Sequence, residues 1–146
     1  MLKGIFANLI GNAIVAAGRA IKVRNLEVYS KNKFKITPEQ YLVLNILKSG
    51  NYSQNQLCEL LLKDKSNIAR LISVLKTKNL IKKTQLTENG KQINKISLTQ
   101  SGEKLHEEIT PIMNFTREKY LEGTTEDDMY ICIKVLSKIR KNLEKE

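Results

Sequence analysis

Residues 53–99 contain two helix signals and then a hairpin signal, and this order constrains the fold more than any other feature of the chain. Ser53 is a good N-cap, and Gln56, three residues on, completes a capping box. Asp64 is placed to cap a second helix, and Asn89-Gly90 is the strongest short hairpin signal. Helix, turn, helix and hairpin in this order predict a winged helix-turn-helix.

The second of these helices is predicted to be amphipathic and to end at Asn79 in a left-handed conformation. Its apolar positions are spaced i, i+3, i+4, i+7 and are Ile68, Leu71, Ile72 and Leu75. Its other positions carry hydrogen-bonding or cationic side chains, with Lys65, Ser66, Asn67, Arg70 and Ser73 as the candidate DNA-binding residues. A helix fits the major groove of DNA, where base edges distinguish all four base pairs. The alternative is that these side chains form only a solvated helix face.

The charge of the chain favours a polyanionic partner. The formal net charge is +10. Residues 1–35 carry 7 cations against 1 acid, and residues 51–98 carry 9 against 3. On the predicted hairpin the cations are Lys82, Lys83, Lys91 and Lys95. We expect these lysines to attract phosphates, which adds affinity and salt dependence but little sequence choice.

Two helices are predicted before the motif. The first runs from about residue 2 to residue 29, with an apolar stripe through Phe6, Leu9, Ala13 and Ala20. The apolar stretch within it, residues 4–17, is interrupted by polar residues and is too short to span a bilayer, so no membrane partner is expected. Thr37-Pro38 begins the second helix, which should bury Tyr41, Leu44 and Leu47.

Two further helices follow the hairpin. Thr99 should cap the first, with an apolar stripe of Leu105, Ile109, Ile112 and Phe115, and Pro111 should kink or divide it. Thr125 begins the last helix, and its apolar seam alternates spacings of three and four: Met129, Cys132, Leu136, Ile139 and Leu143. A seam of two heptads is too short to stand alone. It should pack on another helix or on a second copy of the chain.

Other chemistry is sparse in the sequence. The pattern contains no phosphate loop, no metal-spaced His and Cys cluster and no nucleophile, base and orienter set, so neither an enzyme nor a cofactor is expected. His106, the single histidine, is predicted to be a surface or packing residue. Cys58 and Cys132 are predicted to be small buried hydrophobes, and a thiol in apolar surroundings is a poor redox sensor.

Three stretches together resemble the MarR family of bacterial transcriptional regulators. Residues 36–44 (ITPEQYLVL) look like the family's entry into its second helix. Residues 65–72 (KSNIARLI) and 75–81 (LKTKNLI) are similar to its recognition helix and the exit into the wing. Residues 97–102 (SLTQSG) look like its strand-to-helix junction. The resemblance implies a cytoplasmic, nucleoid-associated homodimer that binds a pseudo-palindromic operator and is released by a small aromatic ligand or by cysteine oxidation.

The sequence also departs from that family. The wing usually carries an Asp-x-Arg pair, whereas Gly90 and Gln92 stand here, with Lys91 between them. The usual minor-groove arginine is therefore absent, and the lysines of the hairpin must supply the wing contacts. The first helix lacks the cysteine on which the oxidation-sensing branch depends.

These observations predict a mainly α (α+β) protein of one MarR-like domain, residues 1–146. Its winged helix-turn-helix core is 37–99, and the dimerisation helices are 1–33 and 100–144, with Leu9 and the last-helix seam at the dimer contact. The function expected is a sequence-specific DNA-binding repressor. A small aromatic anion would enter a cleft walled by Tyr41 and Phe115. The alternatives are a non-specific nucleic-acid-binding or architectural protein and a membrane-associated scaffold.

Overall fold

The computed structural model describes residues 4–145, and the order of their elements confirms the predicted fold class. Its elements are α1 (Ile5–Lys31), α2 (Pro38–Leu47), α3 (Gln54–Leu61), α4 (Lys65–Thr77), β1 (Ile81–Glu88), β2 (Lys91–Leu98), α5 (Gln100–Tyr120) and α6 (Glu126–Glu144). Residue 2, where the first helix was predicted to begin, lies outside the described residues. The chain divides after Pro111 into two compact units. The single-domain organisation remains a prediction.

Local side-chain caps begin the short helices of the first unit, as the sequence predicts. Thr37 and Ser53 each form a complete capping box, with Gln40 and Gln56 as the reciprocal partners. The Asp64 carboxylate accepts a hydrogen bond from the backbone N–H of Asn67 at 2.7 Å. Each cap satisfies backbone N–H groups that the first turn of a helix leaves without an intrahelical partner.

Left-handed residues end the helix-turn-helix and close the hairpin. Asn79, just beyond α4, has φ 57°, which confirms the predicted helix stop. Asn89 and Gly90 both have positive φ, as a two-residue hairpin turn requires. β1 and β2 pair antiparallel from Ile81 with Leu98 to Glu88 with Lys91. Tyr52, before α3, adds a bridge to Ile96 on the free edge of β2.

The core of the first unit lies among α2, α3, α4 and the base of the hairpin. The predicted stripe of α4, Ile68, Leu71, Ile72 and Leu75, is buried. From α2 come Tyr41, Leu44 and Leu47, also as predicted, together with Val43. Leu57, Ile96 and Ile109 complete this core from α3, β2 and α5. The buried stripe of α4 fixes which face of that helix points outward.

In α5 the predicted apolar stripe is wrong at Phe115. Phe115 is 61% exposed, whereas Met113 and Thr116 are buried. Residues 109, 113 and 116 are spaced four and three apart, so they share one helix face and leave Phe115 on another. Pro111 does not divide the helix, which is continuous from Gln100 to Tyr120.

α6, in the second unit, buries no side chain within the single chain. Cys132 is exposed and Cys58 is half-buried, so the predicted burial of Cys132 is wrong in the described structure. The exposed apolar residues of α6 extend well beyond the predicted seam and include Tyr130, Ile131, Ile133 and Val135. The argument from burial against Cys132 oxidation therefore does not hold for the single chain.

α1 is a 27-residue helix with a largely exposed apolar surface. Phe6 is 79% exposed and Leu9 is 53% exposed. An 18-residue window of this helix has a mean hydropathy of 1.2, so by length and composition alone α1 is able to cross a membrane. The stretch at residues 4–17 is by itself too short to span a bilayer, because it omits the apolar residues farther along the helix. Core helices of soluble proteins meet the same criterion.

Candidate nucleic-acid interface

α4 presents a polar face opposite its buried stripe. Lys65, Ser66, Arg70 and Ser73 are exposed, and Asn67 is half-buried at the edge. The α3–α4 turn passes through Leu62, which has φ 56° and is 64% exposed. The structure therefore brings all five predicted residues of this helix onto or beside one accessible surface.

Arg70, at the middle of this face, is held by neighbouring side chains. Its Nη2 atom donates a hydrogen bond to Asn67 Oδ1 at 2.6 Å. The same Nη2 atom lies 3.8 Å from Glu39 Oε2, in the first turn of α2. Arg70 and Asn67 are predicted as separate DNA contacts, but their side chains are hydrogen-bonded to each other in the single chain.

In the part of the chain described here, Glu39 is the one acidic group that forms an ion pair with a predicted DNA-binding residue, and sequence reasoning missed this role. Its other carboxylate oxygen, Oε1, lies 3.6 Å from Lys63 Nζ, and the Lys63 side chain is only 18% exposed. In the sequence Glu39 is visible only as an acidic residue in the first helical turn. Its position beside α4 depends on how α2 packs in the core.

The four hairpin lysines do not lie on one surface. Side chains alternate between the faces of a hairpin, so the register puts Lys82, Lys91 and Lys95 on one face and Lys83 on the other, with Ile96. Lys95 is half-buried and donates a hydrogen bond to Gln56 Oε1 at 3.2 Å. Only part of the predicted wing set is therefore free to face the same partner.

Lys83 instead faces a groove beside α4. This groove has a volume of about 340 Å³ and is lined by Gln54, Ala69, Ile72, Ser73, Lys76, Thr77 and Lys83. Gln54 and Lys76 were not among the predicted residues. Lys76 lies at the edge of the polar face of α4. It is seven residues from Ala69, so helical periodicity could have placed these two residues on the same side of the helix.

A partly buried polar cluster joins α2 to the first half of α5. The Tyr41 hydroxyl lies 2.9 Å from Thr110 Oγ1, and His106 Nε2 lies 2.9 Å from Asn45 Oδ1. The rings of Tyr41 and His106 are stacked with centroids 5.7 Å apart. Burial, and secondarily the charge of Lys48, lower the pKa of His106. The histidine is therefore a packed, neutral residue at neutral pH, in line with the packing interpretation.

The lowered pKa of His106 predicts a pH dependence of stability. The unfolded chain has the ordinary histidine pKa near 6.5, so it binds a proton more readily than the folded chain as the pH falls. Stability should thus be fully present above about pH 6.5 and decrease as the pH falls below it. We expect the free energy of unfolding, measured in urea, to decrease less steeply for His106→Gln as the pH falls below about 6.5. Equal slopes for the two proteins would contradict the assignment.

The remaining predicted residues are those of the ligand cleft and of the dimer contact. Tyr41 is buried in the first unit, whereas Phe115 is exposed in the second, with Lys119 Nζ 5.6 Å from its ring centroid. Of the predicted dimerisation residues, Leu9, Cys132, Leu136 and Leu143 are exposed, and Met129 and Ile139 are half-buried. Within residues 4–145 no group of three His, Cys, Asp or Glu side chains is placed to hold a metal ion.

An exposed polar helix, held by a helix-turn-helix core and flanked by a two-stranded hairpin, defines a winged helix-turn-helix protein. Residues 34–92 match the family model described as MarR family, which agrees with the resemblance of the sequence motifs to that family. The chain is 29% identical over 127 residues to the uncharacterized HTH-type transcriptional regulator YybA of Bacillus subtilis (strain 168), with 84% of each chain covered.

Solved structures share this fold. A MarR/EmrR family transcriptional regulator from Acinetobacter sp. ADP1 superposes with a TM-score of 0.80 at 20% identity, covering 97% of this chain and 99% of that one. The S. aureus MepR chain, solved as a complex with DNA, has a TM-score of 0.70 at 24% identity, covering 87% of this chain and 94% of its own. The likeness to both extends beyond the winged helix-turn-helix.

Proposed function

We propose that this chain is a sequence-specific, double-stranded DNA-binding transcriptional repressor rather than an enzyme. The observation that carries the proposal is the exposed polar face of α4, which places Ser66, Arg70 and Ser73 together opposite a buried apolar stripe. These donors and acceptors suit base edges in the major groove. Lys82 and Lys91 on the hairpin would bind backbone phosphates.

The solved MepR–DNA complex supports DNA as the partner, because the MepR chain in that complex has the same fold as this chain. A bacterial cytoplasmic protein that associates with the nucleoid would follow from this partner. We further propose that residues 1–146 act as a single functional domain, with core 37–99 and dimerisation helices 1–33 and 100–144. Two copies would then place two α4 helices on the half-sites of a pseudo-palindromic operator.

The proposed function is tested by selecting binding sites from random duplex DNA and comparing affinities for the selected and a scrambled sequence. We expect a selected site with approximate two-fold symmetry, and an affinity ratio of at least about a thousand. A protein that binds all duplexes about equally would instead be the non-specific alternative. Measurements at several salt concentrations separate the phosphate contribution from base recognition.

Dimerisation is proposed because both terminal helices expose apolar residues that a lone chain leaves in water. On α6, Leu136 is 39% exposed and Leu143 is 71% exposed, and on α1 Leu9 is 53% exposed. A second copy of the chain would cover these surfaces. Soluble monomers rarely expose contiguous apolar patches beyond a few hundred Å².

A substitution in the α6 seam should therefore dissociate the dimer. We expect wild type to have the mass of two chains by light scattering at micromolar concentration, and Leu136→Asp to shift toward one chain, because a carboxylate would be buried without a partner. Glu144→Asp, a conservative change near the exposed end of the same helix, is the control. A monomeric wild type would contradict the proposal, and flotation with liposomes would then test α1 as a membrane-binding helix.

We also propose that release from DNA follows binding of a small aromatic anion beside α1, α2 and α5. A ligand of this kind would act by stabilising a dimer whose two α4 helices no longer match one turn of DNA, about 34–36 Å. Screening operator release with benzoate-like anions tests this step. The exposure of Cys132 makes a Cys132→Ser variant necessary as a parallel test of oxidation.

A further inference from the structure

The carboxylate of Glu39 lies beside α4, within ion-pair distance of two cations. One oxygen lies 3.6 Å from Lys63 Nζ and the other 3.8 Å from Arg70 Nη2. Arg70 also lies on the polar face opposite the buried stripe, with Ser66 and Thr77. An acidic residue is therefore paired with the central cation of the surface that would approach a polyanion.

The ion pair between Glu39 and Arg70 is weak, and its weakness decides its effect on Arg70. The side chains of Glu39 and Arg70 are 51% and 62% exposed, so their attraction is screened by water and easily broken. The hydrogen bond from Arg70 to Asn67, at 2.6 Å, remains available without Glu39. Glu39 is thus dispensable for the position of α4, which depends on the core, but it competes with any phosphate for the Arg70 guanidinium.

We propose that Glu39 is a specificity-determining residue, which holds Arg70 away from DNA phosphates and leaves it free for a base. An arginine near a duplex can clamp a phosphate of any sequence or bind a guanine edge through two hydrogen bonds. The Glu39 carboxylate opposes phosphate binding, because it pairs with the Arg70 guanidinium and repels the phosphates of the DNA backbone. A well-placed guanine offsets this opposition, whereas a non-specific site does not.

The inference rests on the proposed function and predicts a loss of discrimination in Glu39→Gln. We expect this variant to bind scrambled duplex about three- to fivefold more tightly, as expected for an exposed ion pair, while affinity for the selected site rises less. The ratio of the two affinities should therefore fall. Glutamine preserves the size of the side chain, and circular dichroism and the urea midpoint would verify folding.

Two controls separate this effect from a general change in charge. Glu107→Gln removes the same charge from another exposed ion pair, with Lys48 at 3.9 Å, outside the α4 surface. It should leave the affinity ratio unchanged. In an Arg70→Ala background, Glu39→Gln should have no more effect than Glu107→Gln, because the side chain that Glu39 restrains is gone.

The outcomes distinguish this inference from the proposed function. If wild type selects a site and Glu39→Gln lowers the affinity ratio only when Arg70 is present, the inference is supported. If wild type selects a site but Glu39→Gln and Glu107→Gln behave alike, or the effect persists without Arg70, the inference alone is overturned. A wild type with no sequence preference overturns both.

Discussion

Replacing Gly102 by alanine should destabilise the protein by about 3 kcal/mol, at the upper end of the effect of overpacking. Gly102 lies in the first turn of α5, where the chain leaves the hairpin. A Cβ atom at this position would clash with the backbone carbonyl oxygen of Leu80 and lie 3.3 Å from Leu98 Cδ2. The first contact is with backbone, which cannot rotate away as the end of a side chain can.

The neighbouring hydrogen bonds make this junction difficult to shift. The Leu80 carbonyl accepts a hydrogen bond from the backbone N–H of Thr99 at 3.1 Å, and the Thr99 hydroxyl donates to the Asn79 carbonyl at 2.7 Å. The Thr99 hydroxyl oxygen also accepts from the N–H of Gly102 at 3.0 Å. Accommodating a methyl group would therefore separate α5 from the end of α4 and the base of the hairpin.

Urea unfolding followed by circular dichroism measures this effect. Ser101→Ala is the matched control, because Ser101 is exposed on the same turn and its replacement should change stability by no more than about 0.5 kcal/mol. A Gly102→Ala protein as stable as this control would show that the junction tolerates a side chain. The close packing described here would then be wrong.

The second large effect expected is on DNA binding. Arg70→Ala should weaken binding to the selected site by about 1–3 kcal/mol if Arg70 makes a bidentate guanine contact. Binding to scrambled duplex should change little, because a base contact contributes only where the correct base is present. Titration of both duplexes, with folding verified by circular dichroism, measures the difference.

Lys91→Ala is the comparison variant for Arg70→Ala. Lys91 is exposed at the tip of the hairpin, beside the turn at Asn89-Gly90. Its loss should weaken selected and scrambled sites alike and reduce the slope of affinity against salt concentration by about one. If both variants retained wild-type affinity for the selected site, α4 and the hairpin would not be the interface.

The local elements of this protein are determined by short stretches of its sequence. The caps at Thr37, Ser53 and Asp64 and the left-handed stop at Asn79 each depend on residues within a few positions, so they were predictable and are confirmed. The apolar face of α4 is equally local, because helical geometry alone decides which side chains share a face. The resemblance to the MarR family was carried by these same stretches.

Tertiary packing decided the rest. Glu39 meets Arg70 only because α2 and α4 pack in one core, 31 positions apart in the chain. The register of the hairpin places Lys91 and Lys95 on the same face as Lys82, and Met113 replaces Phe115 in the buried set because of the face of α5 that is covered. A helix with apolar residues on several sides does not specify which of them is buried. That choice depends on the surfaces of other elements, which periodicity within one segment cannot describe.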